Sequence, residues 1–387
     1  MNFRFTEEEE AFRKEVAEFL DKEFTPAARA EKISTGDMAP GPAVKEFARK
    51  LGEKGWIGPG WPKQYGGLEY RHMKRFIIVE EMAYRGWWHP TSAQIMGPVI
   101  LRYGTEEQKN YFMHKLASGE LNIAAGFSEP DAGSDLSNLQ LRTVEDGDYF
   151  VLNGQKVWNS GFHFSTYTLL AVRTDPNVVP KYKGISLLIV DNSTPGITSR
   201  PTYTMGERTN EVFFDNVRVP KSCLLGKKNE GWVQLTTALA FERAWTIGDV
   251  RRDFEELVDY CRKTQRNGNL LIKDPLVRQK LAQLAIELEV VWLFACRVAC
   301  MIDKGLVPDH SASILKVFGS EYEQHVAKTA IEILGLYGPL VKGSPLVQLN
   351  GRVGYIYPDH VRYTISRGTN EIQRTIIAQR GLGMPRG

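Results

Sequence analysis

The chain has 387 residues, of which 42% are hydrophobic and 25% are charged, and its formal net charge is +3. This length allows two or three domains with a large buried core. The nearly balanced charge argues against a nucleic-acid-binding protein, although it permits a local basic patch for a phosphorylated ligand.

The first residues predict a helix and not a targeting segment. Thr6 is a candidate N-cap for an acidic amphipathic run, and the segment lacks the basic flank and apolar core of a signal peptide. The most apolar long run, residues 281–302, contains Glu287, Glu289 and Arg297. It is therefore interpreted as a buried bundle helix and not as a membrane span.

Cysteine usage indicates a reducing environment. The four cysteines form no CxxC pair. Cys296 and Cys300 share a helix face and are interpreted as core thiols. A cytoplasmic protein is expected.

Three zones follow one another along the chain. Residues 1–120 have apolar positions at helical spacing, and residues 121–232 have a strand-like pattern. Within the second zone, Asn153-Gly154 predicts a hairpin turn. Helical patterns return over residues 233–387. This order predicts an α+β fold with an N-terminal helical domain, a middle antiparallel β-domain and a C-terminal helical bundle.

Several common site types are missing from the sequence. No GxGxxG follows a predicted strand, no P-loop spacing occurs, and no GxSxG is present. The seven histidines show no ligand pattern with each other or with cysteine, so no metal site is expected.

Two segments of the middle zone have the composition of a flavin site. They are GFSEPDAGSD (126–135) and KVWNSG (156–161). Small residues let Ser128 or Ser134 approach a ligand, and Trp158, placed on a predicted strand, offers a flat apolar face beside Asn159 and Ser160. A flavin ring requires stacking on one side and hydrogen-bond donors at its edge. The alternative interpretation is a tight loop beside a core tryptophan.

Glu242 is the candidate general base. Its helical neighbours at three and four residues are apolar, so its carboxylate must be either paired or functional. Burial would raise its pKa towards neutrality, which suits proton abstraction. The alternative is a structural ion pair, for instance with Arg243.

The motifs FSEPDAGSD, KVWNSG, FFDNVRVP, FERAW and RGTNEIQR occur in this order. Together they closely resemble the acyl-CoA dehydrogenase family over essentially the whole chain. The resemblance implies an N-terminal helical domain, a middle β-domain and a C-terminal four-helix bundle, assembled as a tetramer with one FAD per subunit.

The resemblance also implies roles for single residues. Cofactor contacts are expected around Phe127, at Ser128 on the flavin pyrimidine edge, and at Trp158 and Ser160 on its other side. Ser134 and Arg243 match contacts to the CoA portion of an acyl-CoA substrate, Ser134 lying at the cofactor as well. Further FAD contacts are expected at the following residues: Arg262, Arg278, Glu332, Gly335, Thr369 and Glu371.

The implied reaction is the α,β-dehydrogenation of an acyl-CoA to the 2,3-enoyl-CoA, with an electron-transfer flavoprotein as electron acceptor. A backbone N–H beside Gly368 would polarise the thioester carbonyl. Most family members place the base where this chain has Arg367, and arginine cannot act as a base at neutral pH. A minority place it at the position of Glu242. Arg367 is then a counter-ion to Glu242, a site for a distal substrate carboxylate, or an arginine turned to backbone or solvent.

Departures from the family pattern leave the assembly and substrate open. Asp274-Pro275 replaces a glutamine that commonly holds the FAD diphosphate, Gln265 replaces an aromatic residue, and Glu332 replaces another glutamine. The chain is therefore predicted to be a homotetrameric enzyme, a subunit of a heterotetramer acting on bulky or cyclic thioesters, or a paralogue that binds CoA esters without redox turnover.

Overall fold

The computed structural model describes residues 5–34, 39–87, 92–242, 247–306 and 308–385. Within these described ranges, six α-helices precede the first strand: α1 Glu7–Glu23, α2 Pro26–Ser34, α3 Pro42–Glu53, α4 His72–Tyr84, α5 Gly97–Tyr103 and α6 Glu106–Ala117. Eight strands follow: β1 Ile123–Gly126, β2 Arg142–Asp146, β3 Tyr149–Lys156, β4 Tyr167–Arg173, β5 Ile185–Asp191, β6 Ile197–Tyr203, β7 Arg208–Pro220 and β8 Leu224–Leu225.

The last part of the chain is mainly helical. It contains α7 Gly231–Glu242, α8 Gly248–Lys263, a short hairpin of β9 Gln265–Arg266 and β10 Asn269–Leu270, α9 Pro275–Asp303, α10 Asp309–Leu334, α11 Arg352–Asp359 and α12 Asn370–Ile376. The predicted order of helices, sheet and helices is confirmed.

The chain forms two compact units. One comprises Met1–Leu20, Arg71–Trp88 and Arg243–Gly387, and the other comprises Asp21–Tyr70 and His89–Glu242. The division into three domains at residues 120 and 232 stays a prediction.

The sheet is mainly antiparallel, as predicted, but it includes two parallel pairings. Its strands lie in the order β6-β7-β3-β2-β4-β5-β8, and β1 pairs with β4. The β1–β4 pair is parallel, as is the short contact between β2 and β4. The β2–β3 hairpin lies between β1 and β4 in the chain, so β4 enters the sheet in the same direction as β1.

Asn153-Gly154 is not the predicted hairpin turn. Both residues lie inside β3, and the turn between β2 and β3 contains Gly147, with φ of 58°. Opposite β7, the register shifts between Leu152 and Gly154: two residues of β7, Asp215 and Asn216, lie opposite the single residue Asn153, so β7 carries the extra residue of a β-bulge, and Asn216 has a left-handed φ of 49°. The Asn216 N–H donates to Asn153 Oδ1 at 2.9 Å and thereby stabilises the bulge.

Helix α7 packs directly against the sheet. A side chain at Gly231 would come within 2.6 Å of the Ser186 Cα on β5, so glycine permits the close approach of helix and strand. Leu235 and Ala238 are fully buried on α7. The Tyr103 hydroxyl of α5 lies 3.1 Å from Thr237 Oγ1 and ties a second helix to α7.

Capping side chains fix the helix ends of the other unit. Thr6 caps α1 as predicted, because its Oγ1 accepts from the Glu9 N–H at 3.2 Å. The Asp303 carboxylate at the end of α9 accepts from the His72 N–H and, at 3.1 Å, from the Met73 N–H at the start of α4. A carboxylate at a helix N-terminus is favourable for the helix dipole.

The apolar run at 281–302 lies in α9, as predicted. Among the described helices, none is long and apolar enough to cross a membrane. The interpretation of Cys300 as a core thiol was wrong, because Cys300 is exposed, while Cys296 is half-buried.

Candidate active site

The predicted site residues divide between the two compact units. The unit that contains the sheet holds Phe127, Ser128, Ser134, Trp158, Ser160 and Glu242. The other unit holds Arg262, Arg278, Glu332, Gly335, Arg367, Gly368, Thr369 and Glu371. Arg243 lies outside the described residues.

The loop after β1 presents hydroxyl groups around a tight turn. Phe127 is buried, Ser128 is half-buried and Ser134 is exposed. Glu129 and Ala132 exchange two backbone hydrogen bonds of 3.1 Å each, which closes the turn between the two serines. Its backbone geometry is thus set within the loop itself.

Trp158 lies in the loop after β3 and not on the predicted strand. Its backbone is left-handed, with φ of 61°, and its side chain is 63% exposed. This exposure excludes the alternative of a core tryptophan. Two residues later, the Ser160 hydroxyl donates to Glu207 Oε1 at 3.2 Å.

A buried ion pair joins the two loops, and sequence reasoning missed it. Lys156 Nζ donates to Glu129 Oε1 at 2.7 Å and to the Phe127 carbonyl at 2.9 Å. Burial lowers the pKa of Lys156 to about 8, while Glu129 opposes this shift, so the amine carries its proton at neutral pH. The available signal was a lysine next to the loop in KVWNSG and a glutamate inside FSEPDAGSD.

Glu242 is the last residue of α7. Ala238, four residues earlier and hence on the same side of the helix, is fully buried. The side chain of Glu242 and residues 243–246 lie outside the described residues, so the role of Glu242 as base stays a prediction.

Arg367 and Gly368 form a left-handed turn before α12. Their φ angles are 60° and 84°. The buried Gln373 donates from Nε2 to both of their carbonyl oxygens at 3.4 Å, and Gln373 Oε1 in turn accepts from Ser313 Oγ at 2.8 Å. The turn is therefore held by side chains outside it.

Residues that follow the turn cap helix α12. Thr369 Oγ1 accepts from the Ile372 N–H at 3.3 Å, and Glu371 is exposed in the first helical turn. Hydrogen bonding to its own backbone N–H and to Thr369 lowers the pKa of Glu371, which therefore stays ionised at neutral pH. The local roles of both residues are compatible with their predicted contacts to FAD.

The charge of Arg367 acts on a buried carboxyl group. Glu323 on α10 is 1% exposed, and neither of its carboxylate oxygens has a hydrogen-bond partner among the described residues. Burial and the nearby Asp249 raise the pKa of Glu323 well above its usual value, and the Arg367 and Arg362 guanidiniums partly oppose that shift. None of the three sequence-based accounts of Arg367 included this neighbour.

The remaining residues that were predicted to contact FAD lie near the ends of α8, α9 and α10. Arg262 and Arg278 are exposed, and Arg278 Nη1 lies 3.5 Å from the Ile272 carbonyl. Glu332 forms an ion pair with Lys280, and Gly335 has a left-handed φ of 60° just after α10. Their contacts to FAD stay predictions.

Asp274, which replaces a family glutamine, has a clear local role. Its side chain caps α9 by accepting from the Leu276 N–H at 2.8 Å and the Val277 N–H at 3.2 Å. Pro275 occupies the first helical position, where its missing N–H costs nothing. Among the described residues, no group of three or more His, Cys, Asp or Glu side chains could hold a metal ion.

The helix–sheet–helix order and the exposed indole of Trp158 are features expected of an FAD-dependent dehydrogenase. Models of the acyl-CoA dehydrogenase N-terminal, middle and C-terminal domains match residues 6–120, 124–217 and 229–382. The chain belongs to the acyl-CoA dehydrogenase family, whose members are FAD-dependent oxidoreductases.

Individual relatives cover the full length of the chain. Acyl-CoA dehydrogenase FadE26 of Mycobacterium tuberculosis is 35% identical, over 100% of this chain and 99% of the relative. A chain of the ChsE4-ChsE5 complex from Mycobacterium tuberculosis superposes with a TM-score of 0.92 at 35% identity, and a chain of the Tcur3481-Tcur3483 steroid ACAD does so with 0.92 at 33%. Both comparisons cover 100% of each chain.

The chemistry of the two loops fits a flavin. The exposed indole of Trp158 offers a stacking face, and the hydroxyl of Ser128 can donate to a heteroatom of the ring, while the Ser160 hydroxyl, which donates to Glu207, would do so after leaving that partner. A planar aromatic group with several acceptors is the ligand that such a combination suits.

Proposed function

We propose that this protein catalyses the α,β-dehydrogenation of an acyl-CoA thioester to the 2,3-enoyl-CoA, with Glu242 as the general base. One observation carries the assignment of the base: the family position that usually supplies it holds Arg367, while α7 ends in a carboxylate at 242. Arginine stays protonated at neutral pH and cannot remove the α-proton.

The residues of the chain have separate tasks in this mechanism. Glu242 takes the α-proton, and the backbone N–H beside Gly368 donates to the thioester oxygen as negative charge develops there. Ser128, Trp158 and Ser160 hold and orient the isoalloxazine ring, and Ser134 and Arg243 bind the CoA portion. Bound FAD supplies the acceptor for the β-hydrogen, which leaves as hydride. An electron-transfer flavoprotein in the cytoplasm is the proposed electron acceptor.

A bulky, ring-bearing acyl-CoA is the proposed substrate class, and a heterotetramer is the proposed assembly. Support comes from the full-length similarity to a chain of the ChsE4-ChsE5 complex and to a chain of the Tcur3481-Tcur3483 steroid ACAD. The replacements at Asp274 and Glu332 are compatible with a subunit that shares its cofactor contacts with a partner. A homotetramer acting on simpler acyl chains is the second candidate.

The variant Glu242→Gln tests the base. Glutamine keeps the size of the side chain but cannot accept the proton, so anaerobic reduction of the flavin by acyl-CoA is expected to slow by about 10²- to 10⁴-fold. The ratio of flavin absorbance to protein absorbance should remain that of the wild type. A flavin-loaded variant that is reduced at the wild-type rate would assign proton abstraction to another group.

Substrate and assembly are tested by flavin bleaching. The purified chain, alone and co-expressed with a second acyl-CoA dehydrogenase chain, is mixed anaerobically with straight, branched, cyclic and steroid-type CoA esters. The proposal expects flavin loading and bleaching by ring-bearing esters only in the two-chain complex. Full loading and turnover by the chain alone supports the homotetramer, and a coloured protein that no ester bleaches supports a paralogue without redox turnover.

A further inference from the structure

The two loops that carry the proposed flavin contacts follow strands that are not neighbours in the sheet. One loop follows β1 and the other follows β3, yet β1 pairs with β4 while β3 pairs with β2 and β7. No direct ladder of backbone hydrogen bonds between β1 and β3 therefore sets the distance between Ser128 and Trp158. A contact between the loops themselves is needed to fix it.

The Lys156–Glu129 ion pair supplies that contact. The ammonium group is fully buried at the end of β3 and donates to Glu129 and to the carbonyl of Phe127, the residue before Ser128. The next residue, Val157, donates its N–H to the Ser128 carbonyl at 2.9 Å. The last residue of β3 and the residue after it thus bind three successive residues of the other loop.

The carboxylate of Glu129 also binds a third segment, the residues just before β2. It accepts from the backbone N–H groups of Gln140 and, at 2.8 Å, Leu141, immediately before β2. From the other side, Arg173 donates to the carbonyls of Ser137 at 2.6 Å and Leu139 at 3.1 Å. The segment 137–141 is thereby held between a buried carboxylate and a largely buried guanidinium.

We propose that Lys156 and Glu129 are positioning residues for the flavin: their buried ion pair sets the spacing of the loops that present Ser128 and Trp158 to the isoalloxazine ring. This inference rests on the proposed flavin contacts of those two residues. Loops that are held at a fixed spacing before binding lose less conformational entropy when the ligand binds. The ion pair is therefore expected to increase the affinity of the protein for FAD.

The experiment compares two variants of the full chain, purified as holoenzyme and then stripped of flavin. Lys156→Met removes the ammonium and leaves Glu129 buried without its counter-charge, so it is expected to lower the melting temperature as well as the FAD affinity. The double variant Glu129→Gln/Lys156→Met removes both charges and is expected to recover much of the melting temperature. Its Kd for FAD, measured by fluorescence titration, should still be raised by about tenfold or more if the pair positions the loops.

Two controls separate the possible outcomes. Lys221→Met removes an exposed ion pair with Glu145 in the same sheet region and should leave the Kd for FAD unchanged. Trp158→Ala should raise it, and a Trp158→Ala variant with wild-type affinity would show that the proposed flavin contact itself is wrong. If Trp158→Ala weakens FAD binding but the double variant Glu129→Gln/Lys156→Met keeps the wild-type Kd for FAD, then Lys156 and Glu129 have a purely structural role.

A measurement on the unsubstituted chain covers the case in which the variants do not fold. Hydrogen exchange is followed in peptides spanning 127–141 and 156–160, with and without FAD. Both peptides are expected to be protected in the apo-protein and to gain little protection on binding. Rapid exchange of both peptides without FAD, followed by strong protection with it, would overturn the proposal.

Discussion

Arg367 has a backbone and an electrostatic environment that the sequence did not reveal. Its left-handed φ is stabilised by Gln373, and its charge offsets part of the cost of burying Glu323. A favourable electrostatic interaction with Glu323 is therefore a further role of Arg367, besides the roles considered from the sequence, in which Arg367 acts on Glu242 or on a substrate carboxylate. These accounts differ in what should happen when the guanidinium is removed.

The pH profile of Arg367→Ala distinguishes them. A counter-ion keeps the base ionised, so its loss should raise the pKa of the base and move the rising limb of turnover to higher pH. The measurement is the rate of anaerobic flavin reduction by acyl-CoA between pH 5 and 9. If the pH dependence of flavin reduction does not change in Arg367→Ala, Arg367 is not the counter-ion of the base, and its interaction with Glu323 becomes the preferred explanation.

Glu80 on α4 couples stability to pH. It is 2% exposed, and burial raises its pKa from 4.5 to about 8, although its Oε1 accepts from the Ile247 N–H at 2.8 Å. Arg251 opposes the shift, and Asp249 and Glu81 add to it. The folded chain thus keeps a proton that the unfolded chain releases near pH 4.5, so this stabilising contribution is complete below pH 4.5 and is lost as the pH rises to 8.

The variant Glu80→Gln should remove this pH dependence. Relative to the variant, the wild type is expected to lose up to about 1.4 kcal/mol of stability per pH unit between pH 5 and 8. Melting temperatures of both proteins across that range provide the measurement, with the exposed Glu10→Gln as a control. Parallel curves for wild type and Glu80→Gln would mean that Glu80 ionises normally in the folded chain.

Residue types located the loops but not their connection. The motifs around Ser128 and Trp158 were visible because small, hydroxyl and aromatic residues cluster there. Placing Trp158 on a strand was wrong because the strand ends two residues earlier, and only tertiary structure imposes its left-handed backbone. The Lys156–Glu129 pair joins residues 27 positions apart, and no local pattern predicts which buried charges will meet.

At the scale of single elements, Asp274 shows how a departure from a family pattern acquires a different role. Its side chain completes the N-terminus of α9, the longest described helix at 29 residues. Asp274→Ala is expected to cost about 1 kcal/mol of stability through loss of the cap. The Kd for FAD should not change, because the side chain is engaged with the helix backbone.

Thermal melting and flavin titration of Asp274→Ala check both parts of this prediction. Asp274→Asn is the matched control, since asparagine caps helices about as well as aspartate does. A weaker affinity for FAD in the alanine variant, with no loss of stability, would mean that Asp274 contributes to FAD binding and not to the stability of α9.

Strands were easier to predict than their pairing. The runs around β4, β5 and β7 are rich in β-branched and apolar residues, and each forms a strand. Asn153-Gly154 has the composition of a hairpin turn, but both residues stay within β3, whose pairing with β7 continues beyond them, and Asn153 lies opposite a bulge in β7. The parallel β1–β4 pairing depends on the path of the whole chain, which local periodicity does not contain.

For the whole molecule, the order of helices and sheet could be predicted from the spacing of apolar residues in the sequence, whereas the oligomeric assembly could not. In the single chain, Tyr357, Val361 and Ile365 are 49%, 51% and 61% exposed, at a regular spacing of four residues around the end of α11. Clusters of exposed apolar residues commonly become buried in protein–protein interfaces. We expect these three residues to lie between subunits.

The variant Val361→Asp should therefore weaken assembly. A charge placed in a buried interface is expected to raise the subunit dissociation constant at least about tenfold, equivalent to about 1.4 kcal/mol. Native mass spectrometry over a dilution series measures this constant. Val179→Asp, at a valine that is 85% exposed in the sheet region, is the matched control. An undisturbed oligomer in Val361→Asp would place the interface elsewhere.

The turn at Arg367 and Gly368 has an evolutionary consequence. Because Gln373 and Ser313 hold its handedness from outside, the direction in which residue 367 projects does not depend on which side chain it carries. A gene lineage could therefore exchange glutamate for arginine there, or reverse the exchange, without rebuilding the loop. Relocation of a reactive group within a family would then require few mutational steps and could have happened more than once.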